Sequence, residues 1–461
     1  MKCFKVYTNQ IESRIDPLYY AKDLFSFIEF LPYQILEIEK VVEYLKTGFA
    51  AGSKIQDEIE KGIIQIRPTN IGEDRLLKFD KNIYVKMDYP NQADYISKKE
   101  ILFNNTNSQE LVGKSAYFNI KGNYVCSNHI TRIKVKEEII LPQYLWIILN
   151  IYQKEKMFYV LCTNWNNQSG INIELLKKLK IPVPPLETQN KIVEIMDNAY
   201  SVIKEKEKEA KNLIDSIEEY ILSELNIEIP KIKNSLTYVS NLAELKNNRI
   251  DTYYYLPKFE EIKKSIYGGK YEVVNLEDSF ENDMIKGILP KENEKDGDLK
   301  VLKIKNILNN GLIDISDFAT AKNIFKEDHK IHKGEIIIVI TGATIGKVGL
   351  WTSNENIYLG GDMVKFKTNE KYNPYYVQTF LLTQLGQYEI KREITGATNG
   401  HLSISNLRLI NIPRPPITIQ DTISYEVKKR IQKTYQLNKE AKNILDEAKK
   451  EVELIIFTRL I

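Results

Sequence analysis

The stretch IPVPPLETQNKI occupies residues 181–192, and a related stretch, IPRPPITIQDTI, occupies residues 412–423, 231 positions later. In both, an Ile-Pro-x-Pro-Pro segment is followed by a glutamine and an isoleucine at the same spacing. A Pro-Pro dipeptide cannot continue a strand and suits the first turn of a helix. The two stretches therefore predict two helices that begin at corresponding points of a repeated unit.

Three further landmarks recur in the same order as this stretch. The matching pairs are Arg14-Ile15-Asp16 and Arg249-Ile250-Asp251, Glu100-Ile101-Leu102 and Glu335-Ile336-Ile337, and Gly113-Lys114 and Gly346-Lys347. Their offsets lie between 233 and 235 residues, close to the offset of 231 for the Pro-Pro stretch. Self-similarity at one period indicates an internal repeat, so the sequence predicts a tandem duplication of a unit of ~230 residues.

Each unit has the same order of sequence features. A helix-like opening, from Arg14 to about Leu45 and from Arg249 to about Tyr267, precedes short apolar runs broken by Gly, Asn and Asp. The run GIIQIR at residues 62–67 and the β-branched run EIIIVI at residues 335–340 are typical of strands. The predicted class is therefore α+β, with one globular α/β part in each unit.

A long helix is predicted after each Pro-Pro dipeptide. Positions taken alternately four and three residues apart are mostly apolar over four heptads, which indicates coiled-coil packing. These positions are Ile192, Met196, Ala199, Ile203, Lys206, Ala210, Leu213, Ile217 and Tyr220 in the first helix, and Val427, Ile431, Thr434, Asn438, Ala441, Leu445, Ala448, Val452 and Ile455 in the second. Each run of ~35 residues would be ~50 Å long. Mutual pairing is favoured over two separate surface helices because neither globular part needs a helix of that length.

The composition is that of an ordinary globular protein. Of 461 residues, 43% are hydrophobic and 28% are charged, and 65 basic against 62 acidic residues leave a net charge of +3. This balance excludes a histone-like basic protein but allows a local basic face. The three cysteines are far apart, no apolar run reaches the ~18 residues of a membrane span, and the start lacks an apolar segment. We therefore expect a soluble, cytoplasmic protein.

One pattern resembles a nucleotide-binding motif and another resembles a methyltransferase motif, but both depart from those motifs. Residues 342–348, GATIGKV, have three residues rather than four between the glycines, and a valine where a phosphate-binding loop has Ser or Thr. A tight turn between strands is the preferred interpretation. Asn373-Pro374-Tyr375-Tyr376 resembles the Asn-Pro-Pro-Tyr loop of N6-adenine methyltransferases without its second proline. A transition from loop to helix explains that segment better.

Three other patterns also favour structural interpretations. Glu389-Ile390-Lys391 resembles half of a nuclease site, but it lies in a helix-like stretch and no Pro-Asp partner exists. Cys126 and His129 have the spacing of metal ligands, but no second pair accompanies them. The alternating run at residues 204–209, KEKEKE, is typical of a solvated helix face. The sequence therefore predicts no catalytic or metal site in this chain.

Over nearly its whole length the chain resembles the specificity subunits of type I restriction-modification systems. The two Pro-Pro stretches are the most specific elements of this resemblance. Asn104–Ser108 followed by Val112-Gly113-Lys114, and Thr341–Lys347 in the second unit, are also similar to the family. The chain departs from it modestly: Thr418-Ile419 replace residues that are often acidic, and no glycine precedes Thr106-Asn107-Ser108.

The resemblance implies two target recognition domains joined by two long helices that pack as an antiparallel coiled coil with pseudo-two-fold symmetry. The expected segments are residues 1–185 for the first domain, 186–230 for the first spacer helix, 231–416 for the second domain and 417–461 for the second spacer helix. Each domain would recognise one half of a split sequence in double-stranded DNA, and the helices would fix the gap between the halves. This agrees with how dimer spacing sets half-site separation in other DNA-binding proteins.

The family also implies that this chain is not itself an enzyme. Two modification subunits would carry S-adenosylmethionine and methylate DNA, and restriction subunits would hydrolyse ATP with magnesium. No cofactor or metal would be bound by this chain, and no membrane would be involved. The outer face of the paired helices would be the surface for the modification subunits.

Candidate DNA-contacting residues follow from the side chains that bind phosphates and base edges. In the first unit they are Lys46, Thr47, Arg67, Asn70, Thr106, Asn107, Ser108, Lys114, Asn167 and Gln168. In the second unit they are Lys286, Lys305, Asn306, Thr341, Thr344, Lys347, Thr398, Asn399 and His401. Elements shared by both copies suit fold maintenance better than the reading of two sequences, so base-reading residues are expected where the copies differ. The shared Arg14, Asp16, Arg249 and Asp251 are expected to form structural ion pairs or to contact a modification subunit.

Three alternatives remain open from the sequence. The chain could be the separate specificity chain of a type II enzyme whose partner combines nuclease and methyltransferase, which neighbouring genes would distinguish. It could be a self-contained methyltransferase, although the expected motifs are missing. It could also be a coiled-coil scaffold without a DNA role, although its globular parts are large and alike.

Overall fold

The computed structural model describes residues 31–58, 61–165, 168–232, 237–238, 251–322, 324–396 and 400–457. The chain divides into two compact units. Unit 1 comprises residues 1–205 and 440–461, and unit 2 comprises residues 206–439. Both long helices contribute one part to each unit.

The described residues form ten α-helices and twenty-two strands, numbered in chain order. The helices are α1 Ile38–Val41, α2 Pro142–Lys154, α3 Met157–Leu161, α4 Ile173–Lys177, α5 Leu186–Leu225, α6 Pro257–Tyr267, α7 Pro374–Leu382, α8 Gln384–Glu393, α9 Ile404–Arg408 and α10 Ile417–Phe457. The strands of unit 1 are β1 Gln34–Glu37, β2 Val42–Thr47, β3 Gln56–Asp57, β4 Ile63–Ile66, β5 Ile83–Val85, β6 Glu100–Asn104, β7 Thr106–Asn107, β8 Ser115–Phe118, β9 Tyr124–Cys126, β10 Ile130–Val135, β11 Thr163–Trp165, β12 Gln168–Gly170 and β13 Lys180–Val183. The strands of unit 2 are β14 Val273–Asn275, β15 Ile285–Lys286, β16 Leu299–Leu302, β17 Ala319–Ala321, β18 Ile336–Val339, β19 Val348–Leu350, β20 Tyr358–Leu359, β21 Met363–Phe366 and β22 Asn411–Pro413.

Unit 1 is built around an antiparallel sheet with the strand order β2-β10-β6-β8. A second sheet, β3-β5-β4-β9, includes the parallel pair β4 and β9. Two smaller sheets, β11-β12-β7 and β1-β13, complete the unit. Helix α2 packs on the first sheet and contributes Tyr144, Ile148 and Tyr152 to the main core.

Unit 2 repeats the central part of this topology. Its antiparallel sheet has the order β15-β21-β18-β19, in which β21, β18 and β19 correspond to β10, β6 and β8. The pair β14-β22 corresponds to β1-β13, because β13 and β22 each carry the Ile-Pro segment before a long helix. The predicted duplication of an α+β unit is therefore present in the fold.

The prediction of a helix that continues to about Leu45 was wrong over residues 31–45. The chain there forms β1, the single turn α1 and β2. The β-branched and apolar residues of this segment pair with β13 and β10, which lie far along the chain. Such tertiary pairing overrides a helical pattern read from one segment. Residues 14–30 lie outside the described part of the chain.

The second predicted opening helix ends where expected, at Tyr267, but begins only at Pro257. Pro257 disfavours helical backbone in the preceding residue, and Leu256 is accordingly extended, with φ −56° and ψ 132°. The Asp251 side chain accepts a hydrogen bond from the backbone N–H of Tyr254 at 3.1 Å, within the turns that precede this helix. Arg14, Asp16 and Arg249 lie outside the described residues.

Helices α5 and α10 each begin directly after a Pro-Pro dipeptide, as predicted. In unit 1 the first part of α5 and the last part of α10 share one core, which includes Met196 and Val452. In unit 2 the last part of α5 and the first part of α10 share another core, which includes Ile221 and Val427. Since the beginning of each helix packs with the end of the other, the pair is antiparallel. Arg430 Nη1 reinforces it by donating to the backbone oxygen of Ser216 at 2.8 Å.

The predicted packing seam is correct except at one position. Ile203, Ala210 and Ala441 are buried, and Lys206 and Thr434 are half-buried. Asn438 was expected in the seam but is exposed, and Leu437, 2% exposed, takes the buried place. The step from Thr434 is therefore three residues rather than four, which buries the apolar leucine and leaves the polar asparagine in solvent before the seam returns to Ala441.

The motif glutamine holds the start of each long helix to the domain. In unit 1 the backbone N–H of Leu141 donates to Gln189 Oε1 at 2.8 Å. Gln189 Nε2 donates to the backbone oxygens of Ile139 at 3.1 Å and Pro184 at 2.8 Å. The side chain is fully buried. Its role is therefore structural.

The same three hydrogen bonds recur in unit 2. The backbone N–H of Asn373 donates to Gln420 Oε1 at 2.9 Å. Gln420 Nε2 donates to the backbone oxygens of Lys371 at 3.1 Å and Pro415 at 2.8 Å. The repeat therefore preserves both the residue and its hydrogen-bond geometry. We call each set of three hydrogen bonds a glutamine clasp.

Candidate nucleic-acid interface

A buried ion pair lies in the central sheet of each unit. In unit 1 Arg132 on β10 donates to Glu100 on β6 at 2.6 and 2.8 Å, and the two side chains are 4% and 0% exposed. In unit 2 Lys365 on β21 donates to Glu335, the residue before β18, at 2.8 and 2.9 Å. The pair occupies the same place in both copies although its cation differs. It belongs to the framework that positions the surface loops.

A second shared element is a turn closed by a buried asparagine. Asn70 Oδ1 accepts from the backbone N–H of Arg67 at 2.9 Å, and its Nδ2 donates to the backbone oxygen of Lys78 at 2.9 Å. Asn306 accepts from Lys303 at 3.0 Å in the same way, and donates within the loop that follows it. Asn70 and Asn306 are 2% and 3% exposed. Both were DNA-contact candidates, and their amides are used inside the fold.

The Gly-Lys elements are also tied to the framework. Gly113 and Gly346 both have φ +89°, a left-handed conformation that favours glycine. The buried Lys114 donates to Glu73, and Lys347 Nζ donates to the backbone oxygen of Ile307 at 3.0 Å. The structure thus gives both candidate lysines internal partners in the loop that follows the asparagine turn.

Unit 1 contains an open cleft with a volume of about 710 Å³, which we call the unit 1 cleft. It is lined by Ala50, Ala51, Gln65, Arg67, Pro68, Thr69, Lys81, Asn82, Ile83, Thr106, Asn107, Ser108, Ser127, Asn128, His129 and Gln168. Among these described residues are two side chains that carry a full positive charge, Arg67 and Lys81, and no carboxylate. Five candidate residues meet here: Arg67, Thr106, Asn107, Ser108 and Gln168.

Hydrogen bonds orient the cationic wall of the cleft. Arg67 donates to Gln65 Oε1 through Nε at 3.1 Å and Nη2 at 3.0 Å. Gln65 is fully buried and donates in turn to the backbone oxygen of Phe49 at 2.8 Å. Partial burial lowers the pKa of Arg67, which keeps its charge at neutral pH because guanidinium pKa values lie above ~12. The guanidinium is therefore held at the cleft by an uncharged partner.

Another wall of the cleft is formed by residues of β7 and β12. Thr106 Oγ1 donates to Asn105 Oδ1 at 2.7 Å, and Asn107 Oδ1 accepts from the backbone N–H of Ser108 at 2.8 Å. Asn107 is half-buried and Gln168 is exposed, and both residues line the cleft. These groups can donate to and accept from base edges.

The remaining unit 1 candidates do not line the cleft. Lys46 on β2 donates to the backbone oxygen of Ala93 at 2.6 Å and lies 3.6 Å from Asp94. Thr47 ends β2 opposite Thr131. Asn167 lies outside the described residues.

The unit 2 candidates occupy several surfaces. Lys286 on β15 and Thr344 in the turn between β18 and β19 are exposed, and Lys305 is exposed and pairs with Asp317. Thr341 and His401 are brought together by a backbone bridge, and Thr341 Oγ1 donates to Asp362. Thr398 and Asn399 lie outside the part that the structure describes.

Several lining residues of the unit 1 cleft were missed by the sequence reasoning. They are Thr69, Lys81, Asn82, Ser127, Asn128 and His129. They lie on connecting segments that carry no motif. The signal that could have found some of them is a sequence difference between the two copies. Unit 1 has Ser127, Asn128 and His129 where unit 2 has Gly360, Gly361 and Asp362.

Backbone hydrogen bonds establish this correspondence between the copies. The N–H of Asn105 donates to the oxygen of His129 at 3.0 Å, and that of Ile340 donates to the oxygen of Asp362 at 2.9 Å. The N–H groups of Ile171 and Leu402 donate to the oxygens of Asn105 and Ile340, both at 2.9 Å. The backbone hydrogen bonds are thus shared while the side chains at these positions differ.

The glycine and Asn-Pro patterns have the predicted structural roles. Gly342 and Gly346 have positive φ in the turn between the paired strands β18 and β19. Asn373 caps α7 by accepting hydrogen bonds from the backbone N–H groups of Tyr375 and Tyr376 at 2.9 and 3.4 Å. Both patterns are therefore local structure.

Glu389 and Cys126 are buried side chains. Glu389 lies within α8, where burial raises the pKa of its carboxyl and Asn411 donates to it twice, at 3.1 and 2.6 Å. Burial raises the pKa of the Cys126 thiol to about 12.

Among the described residues no three His, Cys, Asp or Glu side chains are grouped to hold a metal ion. In the same part of the chain no helix is long and apolar enough to span a membrane.

Fold and site define a class: tandem α+β domains, two shared antiparallel helices and a polar cleft with a basic wall. A family model for the type I restriction modification DNA specificity domain matches residues 32–216 and 268–447. The chain therefore belongs to the type I restriction-modification specificity subunit family.

Three individual proteins to which the chain is similar have known sequences or solved structures. The chain is 24% identical over 442 residues to the putative type I restriction enzyme MjaX specificity subunit of Methanocaldococcus jannaschii, a match covering 92% of this chain and 93% of that protein. It is similar to a solved chain from a study of complex assembly and conformational transition of the type I R-M system, with a TM-score of 0.50 and 14% identity over 92% of this chain and 97% of that chain. It also matches the S subunit from M. genitalium, with a TM-score of 0.44 and 14% identity over 94% and 98% of the two chains.

Proposed function

We propose that the chain is the non-catalytic DNA-recognition subunit of a type I restriction-modification complex, and that each unit recognises one half of a split DNA target. One observation carries this proposal: the two copies share their buried framework but differ at exposed positions on the same backbone. A buried structure shared by both units, combined with different surface side chains, is what two domains that recognise different short DNA sequences require.

The chemistry of the unit 1 cleft supports binding to a polyanion. Arg67 and Lys81 supply positive charge, and no described carboxylate lines the opening. Lysine and arginine contact phosphates, while amides and hydroxyls such as those of Asn107 and Gln168 recognise base edges. The net charge of +3 is small. Affinity therefore depends on local placement of charge rather than on the total.

The family supports the proposed partners. Modification subunits carry S-adenosylmethionine and methylate the bound DNA, and restriction subunits use ATP and magnesium for cleavage. The exposed outer faces of α5 and α10 would receive the modification subunits. This chain would bind none of these cofactors itself.

The test is a genome-wide map of methylated bases in cells with this chain and its neighbouring methyltransferase, compared with cells that lack only this chain. Loss of one split motif, two short blocks around a fixed gap, is the expected result. Unchanged methylation, together with no sequence-specific DNA binding by the assembled complex, would contradict the proposal.

The double variant Asn107→Ala, Gln168→Ala is expected to relax or abolish recognition of one block of the split motif and to leave the other unchanged. Each lost base contact costs ~1–3 kcal/mol, or roughly five- to 150-fold in preference at its base pair. The measurement is the methylation motif, with competition binding on duplexes altered in one block. Thr344→Ala in unit 2 is the control, because it should affect only the other block. Changes in both blocks from either variant would contradict the assignment of one half to each unit.

Insertion of one heptad into each long helix, after Glu205 and after Lys439, is expected to change the gap and preserve both half-site sequences. The insertion adds ~10.5 Å of helix and rotates it by only ~20° relative to a heptad repeat. At ~3.4 Å per base pair, we expect a shift on the order of three base pairs. The methylation motif measures it. Altered half-sites with an unchanged gap would show that the helices do not set the spacing.

A further inference from the structure

The hairpin beside the unit 1 cleft carries an exposed tryptophan. Trp165 on β11 lies opposite Gln168 on β12, and β12 pairs with β7, which contains Thr106 and Asn107. Trp165 is 47% exposed. The indole therefore stands next to the polar wall through which we propose that unit 1 contacts bases.

A glycine provides the seat for this indole. A Cβ atom at Gly170 would come within 2.4 Å of the ring carbon Cη2 of Trp165 and 3.2 Å of Cζ3. The absence of a side chain at Gly170 thus lets the ring lie against the β12 backbone. One part of the ring is supported and the remainder is open to solvent.

Single exposed apolar side chains are common on protein surfaces and need no special explanation. Trp165 differs in that its ring rests against Gly170 and lies opposite Gln168, which lines the cleft. The copies also differ here: Thr163 pairs with Gly170 and Thr395 pairs with His401, so the sequence position matching Trp165 is Ala397. Trp165 thus occupies a position at which the two units differ in sequence, as expected of a residue that contacts bases.

We propose that Trp165 reads the half-site of unit 1 by packing its indole against the C5-methyl group of a thymine. This inference rests on the proposed function and deepens it. Thymine is the base that offers an apolar group in the major groove, and Asn or Gln amides pair well with adenine, its partner. Gln168 lies directly opposite the indole on the paired strand. The indole and this amide together favour an A·T pair.

The test replaces thymine with uracil, which lacks only the methyl group. Duplexes carrying the split motif from the methylation map, with deoxyuridine at each thymine of the unit 1 block in turn, are bound to the full chain assembled with its modification subunits. At one position the affinity should fall roughly fourfold, the value of one buried methyl group. Trp165→Ala should bind thymine and uracil equally at that position, and Trp165→Phe should retain part of the difference.

The outcomes separate this inference from the proposed function. Specific binding with no effect of uracil at any position, a block without thymine, or full uracil sensitivity in Trp165→Ala would overturn the role of Trp165 and leave the DNA-recognition proposal standing. Absence of specific binding by the unaltered complex would overturn both. Surface placement of Trp165 makes a folding defect in Trp165→Phe unexpected, and equal thermal unfolding would verify this.

Intrinsic fluorescence supplies an independent measurement. The chain has three tryptophans, and Trp146 and Trp351 are only 4% and 1% exposed. Acrylamide quenching should therefore report mainly on Trp165. The split-motif duplex should reduce this quenching, and Trp165→Phe should remove the effect. Equal quenching with and without the bound duplex would contradict the contact.

Discussion

Glu100→Ala is expected to destabilise unit 1 by about 3–5 kcal/mol, because it leaves the buried Arg132 guanidinium without its counter-ion. Both side chains are at most 4% exposed. Arg132 would keep only its hydrogen bonds to the backbone oxygens of Ala93 at 2.9 Å and Tyr95 at 2.7 Å. Neither of these neutral acceptors compensates a buried positive charge.

The measurement is urea unfolding followed by tryptophan fluorescence in a Trp351→Phe background, since Trp146 lies in the core of unit 1 and Trp351 in a core of unit 2. Glu137→Ala is the matched control. It breaks the exposed Lys99–Glu137 pair, whose nitrogen and oxygen are 2.7 Å apart, and should cost less than about 1 kcal/mol. Equal effects of the two variants would contradict the burial argument.

Glu100→Leu combined with Arg132→Leu should recover much of the lost stability. A buried ion pair stabilises little beyond an apolar pair of similar volume, although removal of one partner is costly. Tyr44 provides a local consequence: its hydroxyl donates to Glu100 at 2.7 Å, and burial beside this carboxylate raises the pKa of Tyr44 to about 12. In the double variant that pKa should fall, because the carboxylate is gone.

The sequence predicted those parts of the fold that depend on local signals. The Pro-Pro dipeptides located the starts of α5 and α10 because proline limits backbone geometry whatever lies around it. The strands at residues 34–47 were missed because their stability comes from pairing with β13 and β10, more than 80 residues away. Leu437 was missed because the steps of four and three residues were taken in a fixed order, whereas a step of three precedes a step of four between Thr434 and Ala441.

The sequence predicted which types of residue form the candidate site. It did not predict which of their polar groups remain free of hydrogen bonds within the fold. Asn70 has the side chain of a base reader, yet its amide is saturated within a turn. Lys81 and Asn128 line the cleft without belonging to any motif. Sequence shows which groups a side chain carries, whereas only packing shows whether those groups remain free to bind.

The duplication separates these two roles within one chain. The glutamine clasp, the asparagine turn and the ion pair recur because each satisfies buried polar groups of the same backbone. The cleft residues Ser127, Asn128 and His129 do not recur, because unit 2 has Gly360, Gly361 and Asp362 at these positions. Comparison of the two copies therefore distinguishes residues that maintain the shared fold from residues that are available to contact DNA.

Gln189→Leu is expected to destabilise unit 1 by at least about 3 kcal/mol. The substitution is close in volume but removes three hydrogen bonds, and it leaves the N–H of Leu141 and the oxygens of Ile139 and Pro184 without this partner. Each buried polar group left unsatisfied costs about 1–3 kcal/mol. Asn190→Ala is the control, because its exposed side chain only donates to the backbone of its own helix and should change stability by about 0.5 kcal/mol or less.

Gln420→Leu should cost the same in unit 2, because the corresponding hydrogen-bond lengths in the two clasps agree to within 0.1 Å. Glutamate at either position should not restore stability at neutral pH, since its buried carboxylate would face the two backbone oxygens to which the amide donates. Urea unfolding with Trp351 retained and both Trp146 and Trp165 replaced by phenylalanine would measure unit 2 separately. A large cost in one unit and none in the other would show that the clasp has different roles in the two copies. Matching costs would show that this glutamine recurs because both long helices need the same attachment to their domains.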